Sequence, residues 1–109
     1  MPPTSLDSDY VDTVLATFLW VPGTPMRASR QDRRLARALQ EREVPLQVVL
    51  DAIVIAATRR TFRGAEREPL APVRTLAYFL PVVDEVLTLR PEPDYVDYLR
   101  AKLASLARE

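Results

Sequence analysis

Cysteine and histidine are both absent from the 109 residues, and glycine occurs only twice, at Gly23 and Gly64. Without Cys or His the chain has no thiolate or imidazole to ligate zinc, no disulfide, and neither Ser-His nor Cys-His nucleophilic machinery. Two isolated glycines cannot build the glycine-rich loop that cradles phosphates with backbone N–H groups. Long apolar stretches are missing as well. The longest uninterrupted one, from Ala52 to Ala57, falls far short of the ~20 residues a membrane helix needs. The start, Met1-Pro2-Pro3-Thr4, has no basic segment leading into an apolar one, so no secretory signal is expected. These absences predict a cytoplasmic protein with no metal, no cofactor and no membrane contact.

An excess of charge of one sign is also lacking, since 15 basic residues face 15 acidic ones. The distribution is uneven. Asp7, Asp9 and Asp12 stand without a cation in residues 1–25, whereas residues 26–74 hold eleven Arg against six acids. Fourteen of the basic residues are Arg, and Lys102 is the one Lys. With 48% apolar residues, residues 1–109 suit a single domain burying roughly 60–68% of its unfolded surface.

Ten prolines punctuate the chain into about five segments of helical period, and no stretch alternates as a strand would. The expectation is an all-α fold, a compact bundle of about five helices. Residues 1–7 are expected to form a flexible start. The first helix opens at Ser8 or Asp9, carries Val11, Val14, Leu15, Phe18 and Leu19 in one stripe, and stops at Val21-Pro22-Gly23. Ser29-Arg30-Gln31-Asp32 reads as a capping box opening the second helix, with Leu35, Ala38 and Leu39 on its core face. After a link of about two residues, Pro45 suits the first turn of a third helix. That helix is apolar on most sides and therefore central, with a narrow polar stripe of Gln47, Asp51 and Thr58. Residues 64–71 read as a loop.

The fourth segment starts near Pro72 and keeps Leu76, Phe79, Leu80, Val83 and Leu87 in one phase across Pro81, which predicts a kinked or broken helix there. Asp94 announces a fifth helix that buries Tyr95, Leu99, Leu103 and Leu106.

The second and third helices form a helix-turn-helix-like pair. As a groove reader the third helix offers only Gln47 and Asp51 among valines, a poor surface for base edges. Arginines are the stronger signal. Arg30, Arg33, Arg34 and Arg37 recur at i, i+3, i+4 and i+7 on one helix side, with Arg27 just upstream. Guanidinium groups contact phosphates bidentately and stack on bases, so a nucleic-acid backbone is the natural ligand. Arg59, Arg60 and Arg63 extend the patch if the end of the third helix comes near Arg27. Catalysis is not expected: Asp84 and Glu85 point apart as helix neighbours, and Asp94 with Asp97 is explained by capping.

A protein-protein adaptor is the alternative, with Trp20 and Val54 as contact residues. Val54 falls within the polar stripe of the third helix, and Trp20 follows a strongly apolar segment, although a Trp that ends a helix just before a proline more often closes the core of a small domain.

Residues 44–53 (Val-Pro-Leu-Gln-Val-Val-Leu-Asp-Ala-Ile) and 75–86 (Thr-Leu-Ala-Tyr-Phe-Leu-Pro-Val-Val-Asp-Glu-Val) resemble bacterial replication initiators and primosomal DnaD-type helical domains over roughly residues 29–88. The resemblance implies a bacterial helical module working in DNA replication or mobile-element maintenance. It carries no residue roles over to this chain.

Overall fold

The computed structural model describes residues 5–63 and 70–106, which form five α-helices and a 3-10 helix and contain no strand. Helix α1 (Ser5–Trp20) buries Val11, Val14, Leu15 and Phe18, the stripe expected from their spacing. It begins at Ser5, so residues 5–7, expected to be flexible, belong to the helix, and residues 1–4 lie outside the described residues. The chain then turns at Gly23, whose φ of 82° is open to a residue without a Cβ.

Helix α2 (Arg30–Glu41) starts with the predicted capping box: the Asp32 N–H donates to Ser29 Oγ at 3.1 Å, and the Ser29 N–H donates to the Asp32 carboxylate at 2.8 Å. Its end is a Schellman motif. The Glu43 N–H reaches the Gln40 carbonyl at 2.9 Å, and the Val44 N–H reaches Leu39 at 3.1 Å. Glu43 takes the left-handed conformation, φ 60°, that glycine usually fills there. Four residues, 42–45, thus join α2 to α3 rather than about two. The inward residues of α2 are Asp32, Ala36 and Leu39; Ala38, expected in the core, is exposed.

Helix α3 (Leu46–Thr61) is the centre of the bundle and packs against α1, α4 and α5. Nine of its residues are buried, and Ala52, Ala56 and Ala57 let the neighbouring helices approach closely. Val54 is 0% exposed, which overturns the expectation that it lies on a solvent stripe. The stripe fails because Thr58 turns inward and donates its hydroxyl to the Val54 carbonyl at 2.7 Å. Of the expected stripe, Gln47 and Asp51 alone meet solvent, bonded to each other at 2.7 Å.

Of the expected loop 64–71, residues 64–69 lie outside the described residues, and Leu70 and Ala71 are irregular. Thr75 caps the 3-10 helix (Leu76–Phe79), which passes at Leu80 into α4 (Leu80–Thr88), with Pro81 in its first turn. The apolar phase expected across Pro81 is carried by two abutting helices only as far as Val83: Leu87, expected with it, is 37% exposed and Val86 is buried instead. Pro81 is tolerated because it sits in the first turn of α4, where a backbone N–H has no helical partner. In α5 (Pro93–Leu106) the buried stripe is Val96, Leu99 and Leu103. Tyr95, expected inside, is 52% exposed. The i, i+3, i+7 set beginning at Val96 carries only aliphatic groups, and it rotates the tyrosine outward. Buried apolar side chains from all five helices form one cluster.

Candidate nucleic-acid interface

Arg30, Arg33, Arg34 and Arg37 are all exposed on the side of α2 opposite Ala36 and Leu39. They line one shallow depression of ≈ 260 Å³, so the structure brings together the four arginines that the sequence spacing grouped. Along the helix axis the stripe covers roughly 10 Å. Arg33 has a partial counter-charge in Asp12 of α1, 3.4 Å away, with both side chains largely in water. Arg30, Arg34 and Arg37 make no ion pair or hydrogen bond among the described residues. Arg27 is likewise exposed, on the segment that leads into α2.

This placement has an energetic cost. Arg30 and Arg33 sit in the first turn of α2, where the helix dipole favours anions, at about 0.3–1 kcal/mol for each charge. The i,i+4 pairs Arg30/Arg34 and Arg33/Arg37 add like-charge repulsion of about 0.2–0.5 kcal/mol each. Within the first turn of α2 the one acid is Asp32, and it is turned into the protein. Its second carboxylate oxygen accepts the N–H of Leu76 at 2.8 Å, a contact between residues 44 positions apart. Asp32 thereby fixes the start of α2 against the 3-10 helix, and with it the base of the arginine stripe.

The arginines at the end of α3 are in a different condition. Arg59 makes two hydrogen bonds to the Glu85 carboxylate of α4, at 2.9 and 2.5 Å. That hydrogen bonding pulls the Glu85 carboxyl below its usual range and raises the Arg59 guanidinium further. Arg60 donates to the Ala71 carbonyl at 2.8 Å, and its guanidinium lies 5.3 Å from the centre of the Tyr78 ring. Its side chain also passes close to Gly23, so the end of α3 does approach the turn that precedes Arg27. Arg59, Arg60 and Arg63 share a cleft with Ala56, Leu70, Tyr78 and Val82, of ≈ 320 Å³.

Sequence reasoning overlooked Tyr78. The available signal was its position beside Phe79, one step off the Leu76, Phe79, Leu80, Val83 stripe, which turns a large aromatic toward solvent. Of the two residues expected to contact a protein partner, Val54 is internal, as described above. Trp20 is 44% exposed and stands between two depressions, one bounded by Ala16, Thr17 and Leu50 and the other by Leu103 and Leu106.

Among the described residues no group of three or more acidic side chains is placed to hold a metal ion, and no helix is long and apolar enough to cross a membrane. No known family, curated protein or solved structure matches the chain.

Proposed function

We propose that this chain is a non-catalytic nucleic-acid-binding module that holds phosphates through the arginine stripe of α2. One observation carries the reading. Four arginines share one depression, and three of them have no counter-charge among the described residues. A fold that pairs Arg59 with Glu85 and Arg42 with Asp84 has the means to neutralise its surface cations, and on α2 it largely omits to do so. A polyanion would relieve both the dipole penalty and the mutual repulsion. Guanidinium groups spaced i, i+3, i+4 and i+7 suit successive phosphates, each contact charge-assisted and bidentate.

In this reading α2 makes the contacts, and α3 supports the fold. The polar groups that a reading helix would offer to base edges, Gln47 and Asp51, are bonded to each other. Binding is therefore independent of base sequence. A role in bacterial replication or mobile-element maintenance accords with the resemblance of residues 29–88 to DnaD-type domains. The adaptor alternative keeps Trp20, exposed between its two depressions, and loses Val54.

The test is fluorescence anisotropy of labelled DNA against the protein over a range of salt concentrations. Four phosphate contacts give a log–log salt slope of about −3.6 on a duplex and about −2.8 on a single strand. Replacing Arg30, Arg33, Arg34 and Arg37 by Glu, with helical content preserved by circular dichroism, abolishes binding. Unchanged affinity in that variant would discard the reading.

A further inference from the structure

We propose that the cleft at the end of α3 takes an unpaired nucleobase, stacked on Tyr78, so that the module prefers single-stranded nucleic acid to duplex. The proposal rests on the phosphate-binding reading of α2 and specifies the form of its ligand.

The 3-10 helix turns three residues per turn, so adjacent side chains leave it about 120° apart. Phe79 consequently enters the core while Tyr78 projects outward, still 44% exposed. The tyrosine ring is nevertheless held. It meets Phe79 edge to face, with centroids 5.2 Å apart and planes at 77°, and Phe79 meets Phe18 of α1 in the same manner at 5.9 Å. Arg60 lies over the ring and is itself anchored to the Ala71 carbonyl. An exposed aromatic ring that is already ordered loses little entropy when a base stacks on it.

The surroundings suit the rest of a nucleotide. Ala56, Leu70 and Val82 supply apolar surface, and the arginines supply donors. Arg60 commits one N–H to Ala71 and Arg59 commits two to Glu85, which leaves each guanidinium further N–H groups from its five. A volume of ≈ 320 Å³ is near the lower end of the roughly 300–1,000 Å³ typical of small-molecule sites, right for one flat ring system and far too small for a double helix.

Continuity with α2 makes this a site on a strand. The 3-10 helix that carries Tyr78 packs directly on α2, and the Asp32 carboxylate bonds the Leu76 N–H across that contact. The contact is on the face of α2 opposite the arginines, so a strand held by them reaches the ring only by bending round the helix, which a flexible single strand can do and a stiff duplex cannot. Duplex DNA hides its base faces within the stack, whereas a single strand exposes them to aromatic platforms.

Anisotropy titrations of a labelled thymidine oligonucleotide and of a duplex of equal length decide the matter. The single strand is expected to bind more tightly. Tyr78→Ala weakens it roughly 5- to 150-fold, the effect of losing one base–aromatic stack. Tyr78→Phe retains the affinity, and duplex binding is the same in all three proteins. Should Tyr78→Ala lower the helical content, Tyr78→Leu carries the same test, because it keeps apolar volume and removes the π face. Equal affinity for both nucleic acids, or single-strand binding indifferent to Tyr78, overturns the stacking site while the α2 reading stands. No binding of either nucleic acid overturns both.

Discussion

Replacing Asp32 by Asn changes one atom type at the point where α2 is fastened to the bundle. The carboxylate is 1% exposed and accepts two backbone N–H groups, those of Ser29 and Leu76, each at 2.8 Å. An amide offers one accepting oxygen and one donor. If the oxygen turns to the fully buried Leu76 N–H, the NH2 group meets the Ser29 N–H donor to donor. The capping bond is then lost, at about 1 kcal/mol. The surviving bond loses its charge assistance, about half of some 1.5–3 kcal/mol. The expected destabilisation is about 2 kcal/mol for Asp32→Asn and about 4 kcal/mol for Asp32→Ala, which leaves the buried Leu76 N–H without an acceptor. At about 4–5 °C per kcal/mol in a domain of this size, melting temperatures fall by about 9 °C and about 18 °C. Thermal and urea unfolding followed by far-UV circular dichroism measure both, with an unchanged urea m-value confirming that only stability moved. Burying a charge carries its own desolvation cost. An Asn variant as stable as the parent would show that this cost cancels the two bonds, and it would refute the view that Asp32 holds α2 in place.

Two other perturbations follow from the core. Tyr10 donates its hydroxyl to the Val44 carbonyl at 2.7 Å, and burial raises its pKa. Tyr10→Phe should cost about 1 kcal/mol at neutral pH. A raised folded pKa means stability that is complete below the ordinary tyrosine value of about 10 and is lost as pH rises through the folded value. In alkaline denaturation the parent should therefore fall toward the Phe variant; a constant gap between them would count against the assignment. Val54→Asp, placing a carboxylate at the centre of the bundle, should lower stability by more than about 4 kcal/mol or prevent folding, as read by circular dichroism. A folded variant of near-parental stability would mean that this side of α3 opens to solvent.

Much of the architecture is legible in the chain because local chemistry specifies it. The Ser29/Asp32 capping box, the α1 stripe and the break before Pro81 each depend on residues within one or two turns of one another. What escaped depends on distance in sequence or on competition between faces. The partner of Asp32 lies 44 residues away, so the capping role was visible and the tether to Leu76 was not. Thr58 looked like the edge of a solvent stripe, but a hydroxyl that bonds its own helix at Val54 can be buried. Tyr95 and Val96 are both plausible inward residues of α5, and only the packing against α3 chose the valine. The arginine stripe of α2 was legible because helical spacing alone groups it; the cleft around Tyr78 was not, since α3, α4 and the 3-10 helix all contribute to it.

Helix α3 is enclosed by its neighbours, whereas α2 is held from one side by α1 and the 3-10 helix. Opening α3 to water requires taking the bundle apart, so its amide hydrogens exchange only through global unfolding. Those of α2 can exchange through a smaller, sub-global opening that releases the Leu76 tether and leaves the remaining helices assembled. The chain is thus divided into a slow-exchanging scaffold and a faster-exchanging arm, and the arm is the part that bears the arginines.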